Sequence, residues 1–331
     1  MKIIDGDTGH DTDLWRDICA LGLAGVVIDE DDGGAGMGML DLAVCAEALG
    51  YGAAPGPFLP HALAAIAIQK GGTPAQKKKW LPAMASGEAI GAVALFDPEG
   101  GWEPGEWTLG AGDKLSGVMA NTPCASVADV LVVGVKGGRL ALVETGADGI
   151  EVQPLSATDR LRRLDDIKFT ETPCEPLGDE DTVRAVMMAG RVLIAADAVG
   201  GAARCLDMAV AYAKEREQFG RKIGSFQALK HQLAEMALAV EPGRALYWYA
   251  AYALDVADDD AERLGVIAKA HITDRYVEVA RAATQAHGGI GYTWEYPLHI
   301  WLKRALFDRV FLGSPSQMRR KAVEIAGWTA G

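Results

Sequence analysis

The stretch that decides the fold is "KEREQFGRKIGSFQALKHQLAEMA", residues 214–237. A helical pattern ends within it, a glycine-containing turn follows, and a new helical pattern starts at Ser225. The turn gathers cations around one aromatic ring, with Arg216, Phe219, Arg221 and Lys222. Clustered cations and free backbone N–H groups at such a turn can bind a diphosphate, although an ordinary charged turn has the same composition. The stretch therefore indicates two helices and a candidate anion site between them.

Long helices are predicted on both sides of this turn. The preceding "TVRAVMMAGRVLIAADAVGGAARCLDMAVAYAKERE" is long enough for many helical turns. After the turn, an apolar stripe recurs at helical spacing through Phe226, Leu229, Leu233, Met236 and Val240. Further helices are expected over residues 262–285, and the acidic "DVADDDAE" before them is expected to be a solvated loop. Long helices with short connections predict a bundle.

The upstream half of the chain divides into a helical part and a β-rich part. From Asp11 to Gly87 apolar residues recur at helical spacing, interrupted by the loops "DEDDGGAGMG" and "AAPGPFLP". From about Ile90 to Thr170 short β-branched runs such as "AIGAVALF", "VADVLVVGV" and "RLALVETG" predict strands. We therefore predict an α+β multidomain fold with an N-terminal helical domain (1–88), a central β-barrel-like domain (89–175) and a C-terminal helical bundle (176–331).

Composition excludes several classes of protein. The formal net charge of -13 argues against binding to a nucleic-acid backbone. The apolar runs are too short for a membrane span, and the amino terminus "MKIIDGDTGHD" has no apolar signal core. Five scattered cysteines without a CxxC pair, and histidines without ligand spacing, indicate a reducing compartment and no metal site. A cytoplasmic protein without nucleic-acid or membrane partners is expected.

A second glycine set, "QAHGGIGYTWEYP" at residues 285–297, follows the last long helical pattern. Gly288 could stop the helix, and the three glycines would also let the backbone approach a flat or phosphorylated ligand closely. The glycines at 33–38 are expected to form a plain loop, because they do not fit the dinucleotide-binding spacing. The charges of "DRLRRLDD", residues 159–166, are expected to form surface pairs.

Three of these stretches, "DEDDGGAGMGMLDLAVCAEALGYG", "REQFGRKIGSFQ" and "QAHGGIGYTWEYP", resemble the acyl-CoA dehydrogenase family in order and spacing. The resemblance covers nearly the whole chain, with the family's first helix shortened or missing before Thr12. It implies N-terminal helices, a central β domain, a C-terminal four-helix bundle and a tetramer built from dimers. It also implies FAD at a dimer interface and α,β-desaturation of an acyl-CoA, in which a glutamate removes the α-proton and the β-hydrogen leaves as hydride.

The resemblance assigns roles to individual residues. The positions that contact the FAD of a neighbouring subunit correspond to Arg216, Phe219, Gln285, Gly288 and Gly289. The family's glutamate base sits where this chain has Leu312, and a subset of the family places it instead before an arginine that matches Arg191, where this chain has Gly190. Both base positions therefore lack a carboxylate.

Other departures fall on groups that a subunit offers to its own flavin. "VALFDPEGG" stands where the family has a T-E-P-x-x-G-S-D-like stretch, and "VMANTPCASVADVLVV" lacks the tryptophan of a W-I-T-like run. In "GSPSQ", Pro315 stands where a backbone N–H donor could be required. The resemblance thus predicts that the half of an FAD site given to a neighbour is retained, and that the half kept for the chain itself is altered.

Three functions follow as hypotheses. The first is a catalytically silent subunit of a heterotetrameric acyl-CoA dehydrogenase like those of bacterial steroid side-chain degradation. Its partners would be a second, catalytic acyl-CoA dehydrogenase subunit with which it shares FAD, an acyl-CoA substrate and an electron-transfer flavoprotein. The second is a self-sufficient FAD enzyme with a displaced base, for which Asp308 and Asp97 are the nearest carboxylates. The third is a non-enzymatic scaffold that binds acyl-CoA or a protein.

Overall fold

A computed structural model describes residues 10–110 and 112–328. The chain forms two compact units, which are considered separately. The first contains the chain up to Leu42 together with Pro55–Gly190, and the second contains Ala43–Ala54 together with the chain from Arg191 onward. The predictions that concern the first residues, a missing signal sequence and a shortened first helix, lie largely outside the described residues.

The N-terminal helices end where the sequence places helix stops. They are α1 (Thr12–Ala20), α2 (Met39–Tyr51), α3 (Phe58–Gly71) and α4 (Pro74–Ser86). The Thr73 hydroxyl accepts the backbone N–H of Gln76 while the Gln76 side chain accepts that of Thr73, which is a capping box. Helix α4 then ends at Gly87 in a left-handed conformation. The two predicted loops lie between these helices, but residues 58–60 of the second already belong to α3, and a further break at Gly72 and Thr73 separates α3 from α4.

Seven strands form two sheets in the first unit. The first sheet has the order β1-β3-β4-β7 and the second the order β2-β6-β5. The strands are β1 (Gly91–Ala94), β2 (Lys114–Pro123), β3 (Val130–Val135), β4 (Arg139–Glu144), β5 (Ile150–Pro154), β6 (Leu164–Pro173) and β7 (Glu175–Leu177). One core contains Leu131 and Val143 from the first sheet and Ile167 and Phe169 from the second. Each strand run named from the sequence contains one of these strands.

Histidine 61 connects α3 to this core. It is fully buried; its Nε2 lies 3.2 Å from the Ala24 carbonyl oxygen, and its Nδ1 accepts the N–H of Gly91 at 3.3 Å. These partners assign the neutral tautomer with the proton on Nε2. Burial lowers the pKa of His61 to about 4, although the hydrogen bond to Ala24 opposes the shift. The imidazole is therefore a structural group that must stay neutral.

The second unit is helical. It contains α5 (Glu180–Glu215) from Arg191 onward. Its other helices are α6 (Gln227–Asp255), α7 (Ala261–His287), α8 (Leu298–Val310) and α9 (Pro315–Ile325), with a two-strand hairpin of β8 (Glu217–Gln218) and β9 (Arg221–Lys222). Helix α7 packs against α6, α8 and α9. Helix α5 is long and apolar enough to cross a membrane, but 89% of its most apolar window is buried inside the protein. It is a core helix of the fold.

Two glycines explain why the second half of α2 belongs to this unit. A Cβ atom at Gly200 of α5 would lie 1.9 Å from the Glu47 carbonyl oxygen, and one at Gly50 would lie 2.2 Å from that of Asp197. The two helices therefore touch backbone to backbone, which only glycine permits. The Arg244 guanidinium of α6 also forms an ion pair with the Glu47 carboxylate of α2, at 2.9 Å.

The charges of residues 159–166 differ from the expectation of surface pairs. Asp159, Arg162 and Asp165 are buried. Asp165 accepts the backbone N–H of Ser126 at 3.0 Å, and Asp159 accepts that of Leu161 at 3.0 Å. These carboxylates satisfy loop N–H groups inside the β-rich unit, and for this reason they are not solvated.

Candidate functional site

The predicted anion turn is a β-hairpin with a two-residue loop. Strands β8 and β9 pair Glu217 with Lys222 and Gln218 with Arg221. The loop residues Phe219 (φ 53°) and Gly220 (φ 75°) are both left-handed, as a type I′ turn requires.

A left-handed phenylalanine is an unfavourable conformation, and its ring is 92% exposed. Backbone strain of this kind is typically retained for function.

Contacts within the hairpin fix its orientation on the bundle. The Lys222 ammonium pairs with Glu217 at 2.7 Å and donates to the Glu215 carbonyl oxygen at the end of α5 at 3.0 Å. The Arg221 guanidinium lies 4.1 Å from the centre of the Phe226 ring, a cation–π contact. Helix α6 starts at Gln227, two residues after the predicted Ser225, because a 3₁₀ turn intervenes.

The second glycine set forms a helix stop, as one of its two interpretations predicted. Helix α7 ends at His287, and Gly288 follows with φ 65° and ψ −143°, a conformation open to glycine alone. A Cβ placed at Gly288 or Gly289 would meet no atom within 4 Å beyond the adjacent residues, so this side of each glycine is open, while the Gly288 N–H donates to the Gln285 carbonyl oxygen. The second interpretation, close approach of a ligand, remains compatible with this exposure.

Three aromatic side chains join the two motifs. The His287 ring stacks on Tyr212 of α5 with 4.5 Å between centroids, and its Nε2 lies 2.9 Å from the Tyr296 hydroxyl. Tyr212 is one helical turn before Arg216, whose N–H donates to the Tyr212 carbonyl oxygen at 2.9 Å. Burial lowers the pKa of His287, which keeps the ring neutral. The hairpin and the glycine segment therefore lie side by side at one end of the helical unit.

All five residues predicted to contact a neighbour's FAD are exposed, namely Arg216, Phe219, Gln285, Gly288 and Gly289. They present a guanidinium, an aromatic ring, an amide and the backbone of two glycines, of which Gly288 already donates its N–H to the Gln285 carbonyl oxygen. Such groups suit a diphosphate attached to flat rings, because cations and N–H groups bind phosphate and an aromatic face stacks. The residues present thus fit a group such as FAD.

The two positions that correspond to the family's base are buried, unlike the five exposed residues. Leu312 is fully buried in the turn between α8 and α9, with a left-handed backbone (φ 56°), and Gly190 is buried within α5. Pro315 is the first residue of α9, where a helix N–H has no partner within the helix, so the proline costs the helix no hydrogen bond. A capping box of Ser314 and Gln317 completes this helix start.

Both carboxylates considered as displaced bases interact with other groups of the fold. The buried Asp97 carboxylate accepts the N–H groups of Glu99 (2.9 Å), Gly100 (3.1 Å), Thr108 (2.6 Å) and Leu109 (3.2 Å). Burial works against ionisation, but these hydrogen bonds outweigh it and lower the pKa of Asp97. The carboxylate organises the loop that follows β1.

Asp308 is fully buried in α8, where its charge and that of Arg191 act on the buried ammonium of Lys269.

Sequence reasoning did not find Tyr212, His287, Tyr296 or Lys269. A signal for Lys269 exists in "LGVIAKAHIT", where a lysine stands within an apolar helical pattern. His287 directly precedes the glycine pair, but a helix-end histidine is common and carries no ligand spacing. The tyrosines have no sequence signal, since their role depends on the meeting of α5 and α7.

Comparison with known proteins gives the family. The family model described as "Acyl-CoA dehydrogenase, N-terminal domain" matches residues 2–88, and the model described as "Acyl-CoA dehydrogenase, C-terminal domain" matches residues 181–325. The chain belongs to the acyl-CoA dehydrogenase family, which are FAD-dependent oxidoreductases acting on CH–CH bonds. The predicted fold class, with helical, β and helical parts, is confirmed.

Individual relatives are similar to this chain over nearly its whole length. The chain is 33% identical over 318 residues to "Acyl-CoA dehydrogenase IpdE2" of Mycobacterium tuberculosis, covering 95% of this chain and 87% of that protein. A solved variant of the "Tcur3481-Tcur3483 steroid ACAD" has a TM-score of 0.91 at 30% identity, covering 99% of this chain and 91% of the other. The "ChsE4-ChsE5 complex from Mycobacterium tuberculosis" has a TM-score of 0.88 at 27% identity, covering 100% and 92%.

Proposed function

We propose that this chain is the non-catalytic subunit of a heterotetrameric acyl-CoA dehydrogenase. On this proposal it completes the FAD site of a catalytic partner that desaturates a bulky, steroid-type acyl-CoA. The observation that carries the proposal is the contrast between two sets of positions. The residues that correspond to a neighbour's flavin contacts are exposed on this chain, whereas both base positions are buried and lack a carboxylate.

The chemistry explains why the base positions decide the role. α,β-Desaturation requires a positioned base, and such a base is typically worth a factor of roughly a hundred to ten thousand in rate. Leu312 has no proton acceptor, and Gly190 has no side chain. A chain with these two residues can still serve the reaction if another chain supplies the base.

The proposed contribution of this chain to FAD is binding and orientation. Arg216 would neutralise phosphate charge, Phe219 would provide an aromatic face, and the Gly289 N–H group would donate to a ligand oxygen. FAD, when bound, supplies the hydride acceptor of the reaction. The aromatic set of Tyr212 and His287 would hold the two motifs at a fixed separation, which reduces the cost of ordering them on binding.

An exposed apolar face on α6 supports an assembly role. From residue 238 to residue 256 the exposed positions are mostly apolar or aromatic, including Leu238 (73% exposed), Trp248 (45%), Tyr249 (52%) and Tyr252 (52%). A solvent-facing helix surface normally carries charged residues. Contiguous apolar surface with aromatic residues is typical of protein interfaces. We propose that this face packs against another subunit of the same family.

The steroid-type substrate and the partner rest on the relatives. Two similar structures carry two-protein names, and one of them is a "steroid ACAD". A similar structure titled "Electron transferring flavoprotein of Acidaminococcus fermentans" has a TM-score of 0.87 at 26% identity and supports a link to such flavoproteins. These names describe those proteins, and their transfer to this chain is part of the proposal.

Co-expression tests the proposal. The chain produced alone should be colourless, and the chain produced with the family member encoded by the adjacent gene should give a yellow complex that contains both proteins. Arg216→Ala should lower the FAD content of that complex severalfold, because a charge-assisted phosphate contact is lost. Arg320→Ala, which removes an exposed arginine of α9, is the matched control and should leave the FAD content unchanged.

The other hypotheses have distinct outcomes in the same experiment. A yellow, active homo-oligomer from this chain alone would contradict the subunit role and favour the self-sufficient enzyme. A complex whose FAD content does not respond to Arg216→Ala would favour the scaffold.

A further inference from the structure

The turn that carries Leu312 is held by a lysine from another helix. Lys269 of α7 is fully buried, and its ammonium donates to the carbonyl oxygen of Gly313 and to that of Asp308 at 3.4 Å. Asp308 lies in the last turn of α8, where carbonyl groups have no partner within the helix. Gly313 lies just before Ser314, the residue that caps α9. One side chain therefore bridges the end of one helix and the start of the next.

Two residues of this turn have unfavourable backbone conformations. Leu312 and Gly313 are both left-handed, with φ 56° and 106°. An aliphatic residue in this conformation costs about 1–2 kcal/mol, so the surroundings must impose it. The one backbone hydrogen bond that spans the turn's centre runs from the Gly313 N–H to the Val310 carbonyl oxygen at 3.2 Å. The two bonds from the lysine reach the turn from α7, in addition to the packing around the buried Phe311 and Leu312 side chains.

We propose that Lys269 is a positioning residue that clamps the turn 311–314 and thereby sets the conformation of Leu312. The clamp itself is independent of the subunit role. Its functional meaning rests on the proposed function, because only the resemblance identifies Leu312 with the family's base position. On this view the conformation of that position is dictated by α7 and would be present whatever side chain stood at residue 312.

The charges around the ammonium make the clamp sensitive to protons. Burial, together with the charges of Arg191 on α5 and Arg309 on α8, lowers the pKa of Lys269 to about 7. Asp308 on α8 and Asp274 on α7 oppose the shift. If the turn opened and Lys269 became hydrated, its pKa would return toward 10.5 and the lysine would take up a proton. Opening is therefore disfavoured progressively as the pH rises above 7.

Hydrogen exchange of the full-length chain tests the clamp. In Lys269→Met, which keeps length and apolar stem but has no donor, backbone amides of residues 311–318 should exchange at least about tenfold faster than in the unmodified chain. Amides of residues 270–285 in α7 should keep their protection. Lys230→Met, at an exposed position of α6, is the matched control and should leave both segments unchanged. Unchanged exchange of 311–318 in Lys269→Met would overturn the proposal.

A second measurement needs no substitution and covers the case in which Lys269→Met fails to fold. Between pH 7 and 9 the protection factor of residues 311–318 in the unmodified chain, corrected for intrinsic exchange, should rise by up to about tenfold per pH unit. A protection factor that stays constant over this range would refute the clamp. Neither measurement uses flavin, a partner or turnover, so the clamp and the subunit role can fail separately.

Discussion

Replacing Phe219 by asparagine should stabilise the chain while weakening its flavin contact. A left-handed non-glycine residue costs about 1–2 kcal/mol, and asparagine adopts this conformation far more readily. Against this gain stands the edge-on contact of the ring with Phe226, with 6.1 Å between centroids. Such pairs are worth about 0.5–1.5 kcal/mol, and the lower end applies because the Phe219 ring is 92% exposed. The net change is a stabilisation of about 1 kcal/mol.

Thermal unfolding of the purified chain measures this balance. For a chain of this size, about 1 kcal/mol corresponds to a rise in Tm of about 2 °C. Gly220→Ala is the control, because a Cβ there has open space around it and only the left-handed backbone (φ 75°) resists it. It should lower the stability by about 1 kcal/mol. A Tm that falls in Phe219→Asn would refute the argument that the turn stores strain.

The same variant separates structure from function. In the co-expressed complex, Phe219→Asn should lower the FAD content, because the aromatic face is removed although the turn is relaxed. A variant that is more stable and still holds FAD would leave the turn geometry intact and remove Phe219 from the proposed site. Strain that is retained at a cost in stability is the pattern expected of a functional turn.

Two further predictions concern stability. Between pH 6.5 and pH 4 the unfolded chain binds a proton at His61 and the folded chain does not, so His61 alone should lower the free energy of unfolding by about 3 kcal/mol. Urea unfolding should show a pH-dependent loss that is smaller by this share in His61→Gln than in the unmodified chain, because glutamine does not titrate. Gly200→Ala should destabilise the chain by about 3 kcal/mol or more, because its Cβ would meet the Glu47 carbonyl oxygen at 1.9 Å, whereas Gly265→Ala, with its nearest atom on Val192 at 3.6 Å, should be neutral or stabilising by up to about 1 kcal/mol in the same assay.

The elements that follow local rules could be predicted from the sequence. The helix end at His287, the strands of the β-rich part and the long helices before and after the hairpin correspond to period and glycine signals. The left-handed Phe219 could not be predicted, because a type I′ loop is normally signalled by Asn-Gly or Asp-Gly. In this chain the residue type contradicts the conformation, and the sequence indicated only a turn.

The burial of several charged side chains also could not be predicted from the sequence. Asp165 and Arg162 look like surface residues in "DRLRRLDD", and Asp308 looks like an ordinary helix-surface charge, yet all three are buried. Charged side chains are mostly exposed, so the expectation of solvation is correct on average. Their burial depends on contacts with loops and helices distant in sequence, which no local period encodes. The candidate site was predictable at its exposed motifs, and its support by Tyr212 and His287 was not.

The environment of the two displaced-base candidates bears on the choice between a silent subunit and a self-sufficient enzyme. A general base needs an oxygen that can accept the proton and a pKa near the working pH. The Asp97 carboxylate already accepts four backbone N–H groups, and its lowered pKa makes it a poorer base than a free aspartate. Asp308 is fully buried beside the charges of Arg191 and Lys269. Removing either carboxylate from its partners would leave unsatisfied buried groups at a cost of about 1–3 kcal/mol each, so both are better explained as structural. Because both carboxylates have structural roles, a base supplied by another chain explains the family's reaction better than a base on this chain.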